Sequence, residues 1–121
     1  MITLLALAST FIAQPEPAAE DLLGTWDVAL YFSPDAPPSV TVMEITAVNE
    51  DGTLAGAFYQ SGFESGRYTR RGEDWVITVI TSDGSGPYAT SGRLGPDGVF
   101  EGQTLSTGRD FLMAWTAERR D

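Results

Sequence analysis

The chain has 121 residues, no cysteine, no histidine and a formal net charge of −10. That length holds one domain around one core, and the missing side chains exclude disulfides, thiol nucleophiles, Cys/His zinc sites and the commonest general base. All seven basic residues are arginine, and so acidic a chain repels phosphate backbones and anionic membrane surfaces.

The first element in chain order is Met1 to Ala13, an uncharged apolar run. It has the length of a signal-peptide core and is too short to span a bilayer. Export to a periplasmic or extracellular compartment is therefore expected, with no membrane span once residues 1–13 are removed. Residues 14–21 are polar and Pro-bearing and read as a flexible lead-in. The folded domain is expected over 22–120.

From Leu22 onward the hydrophobic signal has period two rather than 3.6, the mark of half-buried strands. The pattern predicts strands at about 24–32, 40–48, 53–60, 66–70, 75–81, 87–94, 99–106 and 111–119. Between them lie turn-forming segments: SPDAPPS (33–39), NEDG (49–52), SGFES (61–65), RGED (71–74), SDGSG (82–86), GPDG (95–98) and TGRD (107–110). The prolines of 33–39 cannot join a ladder. No connection is long enough for a crossover helix. Eight consecutive strands with short connections make a meander, and closing it removes its exposed edges. The fold expected is all-β: a single-domain, eight-stranded, antiparallel up-and-down β-barrel.

An internal echo sets the register. Residues 51–58 read DGTLAGAF and residues 97–104 read DGVFEGQT. Leu54, Gly56, Phe58 and Gln60 are placed inward in one copy, and Phe100, Gly102, Thr104 and Ser106 in the other. An inward glycine lets a strand bend or a bulky partner cross closely.

The L-G-T-W of Leu23 to Trp26 resembles the G-x-W start of lipocalins and the G-T-W start of avidins. The DGTLAGAFY of 51–59 resembles the second hairpin of avidin-like barrels and recurs in small lipocalin-like domains of exported bacterial proteins. Over residues 22–120 the chain thus resembles calycins. In those families the tryptophan plugs the closed end of the barrel and a late arginine packs across it, which implies these roles for Trp26 and Arg119. Avidin-type biotin sites use an Asn and a Ser on strand one. Val28 and Phe32 stand at those positions here, so biotin binding is not carried over.

Strands of a meander alternate in direction, so each connection can be assigned to an end. NEDG, RGED and GPDG share one end, with inward Trp26, Leu54, Trp75, Leu94 and Phe100 beside it. The longer loops share the other, with inward Gln60, Thr81, Tyr88, Thr90, Thr104 and Ser106 beside it and Phe32 and Met43 as apolar wall. An apolar cup with a few fixed polar groups is the usual form of a small-ligand site. These eight residues are the candidate binding residues; the competing reading is that polar groups collect at any wet end of a filled barrel.

No catalytic residue, metal ligand or cofactor is assigned. Glu44 and Glu101 fall on outward faces, and paired acid–base work needs two carboxylates across one cleft. Asp51, Asp83 and Asp97 each precede Gly and read as turn formers. NEDG and SDGSG are too short for a calcium loop of the spaced-Asp type. The serines have no His or Lys to activate them. Arg67, Arg70 and Arg71 read as charge balance beside Glu73 and Asp74. The function expected is an exported, non-catalytic binding protein for a small apolar or amphipathic ligand. The alternative is a protein-interaction module, such as an inhibitor of an exported hydrolase with QPEPAAEDLL as its tail, since small barrels of this type serve as periplasmic protease inhibitors.

Overall fold

The computed structural model describes residues 17–121. The expected signal peptide at 1–13 and the start of the lead-in lie outside the described residues. No helix among the described residues is long and apolar enough to cross a membrane.

A 3-10 turn, Ala19–Leu22, leads into nine strands: β1 Gly24–Tyr31, β2 Ser39–Val48, β3 Leu54–Phe58, β4 Ser61–Gly62, β5 Ser65–Arg71, β6 Asp74–Asp83, β7 Gly86–Leu94, β8 Val99–Ser106 and β9 Phe111–Arg119. They form one sheet in the order β4-β3-β2-β1-β9-β8-β7-β6-β5. Every pairing within it is antiparallel. First and last strands pair in the middle of the sheet, with Trp26 opposite Arg119 and Leu30 opposite Trp115.

Period-two alternation decides what is buried. Trp26, Val28 and Leu30 of β1, Ile77 and Val79 of β6, and Trp115 and Ala117 of β9 all enter one core. Their neighbours Asp27, Thr78, Ala114 and Glu118 are exposed. The turn-forming role of the aspartates is seen directly. Asp51 Oδ1 accepts the Thr53 N–H at 3.0 Å, Asp83 Oδ1 the Ser85 N–H at 2.7 Å and Asp97 Oδ1 the Val99 N–H at 3.1 Å. Each carboxylate bonds the backbone two residues on, which fixes the reversal locally.

The expected strand at 53–60 is cut short. Tyr59 and Gln60 have φ of 53° and 70°, a left-handed pair that turns the chain back on itself. Phe58 then pairs with Ser61, which adds β4 and raises the strand count from eight to nine. Gly56 marks a second irregularity. A Cβ there would stand 2.0 Å from the Glu44 carbonyl oxygen, beside the register shift between Ile45 and Ala47.

Because β3 ends at Phe58, no ladder joins β3 or β4 to β5, and the sheet is not closed by hydrogen bonds as a continuous ring. Its two ends nevertheless meet. Thr53 and Arg67 form one antiparallel bridge, and the Tyr68 N–H donates to the Gly52 carbonyl at 3.0 Å. The sheet is therefore curled, with its buried face inside the curl.

One end of the curl is sealed. Trp26 is 1% exposed. Its Nε1–H donates to the Leu22 carbonyl at 3.1 Å, and its ring meets Phe100 edge-on at 4.7 Å. The Arg119 guanidinium lies 4.4 Å from the Trp26 ring centroid and donates to the Leu23 and Asp21 carbonyls. This is the contact the resemblance led one to expect. It ties the end of the lead-in to the last strand.

Candidate functional site

The opposite end holds a cavity of about 180 Å³. Its floor is a pair of buried threonines, Thr90 on β7 and Thr104 on β8, which stand opposite each other in the ladder. Their hydroxyl oxygens lie 2.9 Å apart in a mutual hydrogen bond. Each hydroxyl carries one hydrogen, so this bond uses one and leaves the other for a ligand. Thr81 of β6, 3% exposed, lies beside them.

The walls are aromatic and aliphatic: Phe32, Phe58, Phe111 and Met113, with Tyr59 from the β3–β4 turn and Ser61 of β4. Phe32 packs edge-on against Phe111 at 6.5 Å between centroids. Phe32 is 56% exposed, so the cavity opens past it. The mouth carries Asp83, Tyr88 and Arg109. The Tyr88 hydroxyl donates to Asp83 Oδ2 at 2.9 Å, which spans the β6–β7 turn with a second bond. The Ser85 N–H bond first, then the Tyr88 hydroxyl and the nearby Arg109 charge, hold the Asp83 carboxyl below the ordinary carboxylate value against a smaller opposing effect of desolvation.

Arg109 comes from the turn between β8 and β9. Its backbone N–H donates to Ser106 Oγ at 3.1 Å, and its guanidinium sits 5.3 Å from the centre of the Phe111 ring. The two mouth turns are locked together. A Cβ on Gly108 would stand 1.6 Å from the Ser85 carbonyl oxygen, so only glycine allows this backbone approach.

Of the eight residues expected here, Phe32, Thr81, Tyr88, Thr90 and Thr104 line this one cavity. Three do not. Gln60 is exposed on the left-handed turn, because strand three ends before reaching it. Met43 is fully buried in the row between Trp26 and Phe58, below the cavity. Ser106 is 1% exposed and spends its oxygen on the Arg109 N–H. Sequence reasoning placed Phe58 inward but not at the site, and missed Tyr59, Ser61, Asp83, Arg109, Phe111 and Met113 as lining residues. Phe111 and Met113 share the parity of Trp115 and were findable from it. Asp83 and Arg109 lie in or beside turns, where period two carries no information.

A second hollow lies at the sealed end, between Pro17, Trp26, Trp75, Leu94 and Arg119. It is wider but shallow; the Arg119 guanidinium there already donates to the Asp21 carbonyl, the Asp21 carboxylate accepts the Ala18 N–H at 3.3 Å, and Glu73 also lines it. Among the described residues no group of three or more Asp and Glu side chains is placed to hold a metal ion.

Compared with known proteins, the chain matches no family model and no curated protein.

Proposed function

We propose that this is an exported, non-catalytic binding protein. Its curled sheet acts as a cup of the lipocalin-like and avidin-like kind, a barrel in function, with a small apolar or amphipathic ligand held at the long-loop end. The observation that carries the reading is the cavity itself. One end of the core is plugged by Trp26 and Arg119. The other is hollow, apolar on its walls and hydroxylated on its floor. A dry cavity of about 150 Å³ takes up benzene, so about 180 Å³ suits a single ring with small substituents. Drug-sized ligands occupy pockets of about 300 Å³ or more.

The non-catalytic reading rests on the mouth chemistry. A carboxylate held below its ordinary pKa is a weak base, and the chain has no His, Cys or Lys to assist it. Export rests on the apolar run at residues 1–13.

The test is thermal unfolding with p-cresol as a one-ring probe. Ligand at a hundred times its Kd stabilises by about 2.7 kcal/mol, a rise of several degrees for a domain of this size. Tyr88→Ala, which frees Asp83 and opens the mouth, should abolish the rise. Absence of any rise in the unmodified protein at millimolar probe overturns the cavity as a binding site. Export is tested separately, by fusing residues 1–21 to a reporter that folds only outside the cytoplasm.

A further inference from the structure

The mouth of the cavity carries two opposite charges that face one another without touching. Asp83 and Arg109 both line it. Arg109 is close enough to help hold the Asp83 carboxyl ionised, yet no ion pair forms between them within 4.0 Å among the contacts of the described residues. The Arg109 guanidinium lies over the Phe111 ring and makes no hydrogen bond to any described residue; its backbone N–H donates to Ser106. Asp83 accepts one hydrogen bond on each oxygen, and a carboxylate has about four acceptor sites. Both groups therefore have capacity left, and both are held in place by turns locked at Gly108 and Ser85.

A ligand bearing only a carboxylate meets Arg109 but is repelled by Asp83. A ligand bearing only an ammonium group has the reverse problem. A zwitterion satisfies both, and like-charge contact is the kind of penalty by which sites reject wrong ligands. The net charge of −10 does not decide between them at this range, because salt screens exposed charges beyond about 8 Å under physiological conditions. Further in, the walls are Phe58, Phe111 and Met113, which suit an aromatic ring. At the floor the Thr90–Thr104 pair keeps one hydroxyl hydrogen unspent.

We propose that the ligand is a free aromatic α-amino acid with an oxygen at the far end of its ring: carboxylate on Arg109, ammonium on Asp83, ring between Phe58, Phe111 and Met113, and ring oxygen on the Thr90–Thr104 pair. This rests on the reading of the cavity as a small-ligand site and adds the class of ligand to it. The ring and its oxygen fill the cavity, and the charged head stays at the mouth.

The experiment is calorimetric titration of the full folded domain with four probes that share one ring and differ in charge. These are L-tyrosine, 3-(4-hydroxyphenyl)propionate, tyramine and p-cresol. Tyrosine is expected to bind at least tenfold more tightly than each of the other three. Arg109→Gln should bring tyrosine down to the affinity of tyramine, and Asp83→Asn down to that of the propionate. Far-ultraviolet circular dichroism and the thermal transition of each variant show that it folds. Equal affinity for tyrosine and either singly charged probe, or an unchanged ranking in both variants, overturns the zwitterion while leaving the cavity as a site. If none of the four binds, the proposed function itself fails.

Discussion

Trp115 is the side chain around which the core closes, and two glycines make room for it. A Cβ on Gly92 would stand 2.7 Å from Trp115 Cη2, 2.9 Å from Cζ2 and 3.3 Å from Phe100 Cδ1. Carbon atoms in good contact sit about 3.5–4.0 Å apart, so Gly92→Ala forces an overlap of about 0.8 Å onto the ring. The ring has little room to move: it is 1% exposed, with Phe58 and Phe100 at 5.4 and 5.9 Å between centroids. Overpacking of this kind costs about 1–3 kcal/mol. Alanine returns about 0.4–1 kcal/mol by restricting the unfolded chain. The net loss expected is about 1–2 kcal/mol, or a Tm lower by about 5–15 °C. Phenylalanine at position 115 lacks the two clashing carbons. In the Trp115→Phe background the same Gly92→Ala change should therefore fall within about 0.5 kcal/mol of neutral, a coupling of about 1–2 kcal/mol. Gly102→Ala is the control. Its Cβ would stand 2.3 Å from the Ser91 carbonyl oxygen, a backbone clash that Trp115→Phe cannot relieve. Thermal and urea unfolding of the six proteins, followed by circular dichroism, measures the cycle. A Gly92→Ala penalty that is absent, or unchanged when Trp115 is replaced, would refute the reasoning.

Other expectations follow from single features of the structure. Gln60 pays for a left-handed φ of 70° that glycine adopts freely, so Gln60→Gly should stabilise by about 0.5–1 kcal/mol in thermal unfolding; a lower Tm would contradict the turn. Arg119→Leu loses the contact over Trp26 and two hydrogen bonds to the lead-in, and a loss of about 1–3 kcal/mol is expected in urea unfolding. The Asp51 carboxyl is held below its ordinary value by the Thr53 hydroxyl, the Thr53 N–H and Arg67, and Asp83 by Ser85, Tyr88 and Arg109. A depressed carboxyl stabilises the fold above its unfolded pKa, near 4, and that stability drains away as pH falls through the lower folded value. Asp51→Asn/Asp83→Asn should therefore be less stable than the parent at pH 7, with the gap closing below about pH 4; a gap that stays constant with pH would count against both hydrogen-bond sets.

What could be read from the sequence is what local chemistry fixes. Alternation of apolar and polar residues placed Trp26, Val28 and Leu30 on one face because strand side chains point to alternate sides, whatever the strand pairs with. The Asp-Gly turns were legible because an aspartate side chain bonds its own backbone two residues on. The Trp26–Arg119 contact was available from resemblance, although 93 positions separate the two residues in the chain.

The tertiary structure alone decided the rest. Nothing in residues 53–60 announces that Tyr59 and Gln60 will turn back, since neither is a residue that favours a left-handed φ. That one turn puts Gln60 in solvent, adds β4 and leaves the ring of hydrogen bonds open. Height within the curl is likewise a three-dimensional quantity: Met43 and Thr104 have the same inward parity, and only the stagger of the strands puts one below the cavity and the other on its floor. The pairing of charges at the mouth is furthest from the sequence. Asp83 and Arg109 belong to different turns, 26 residues apart, and face each other because the strands between them fold into adjacent antiparallel ladders.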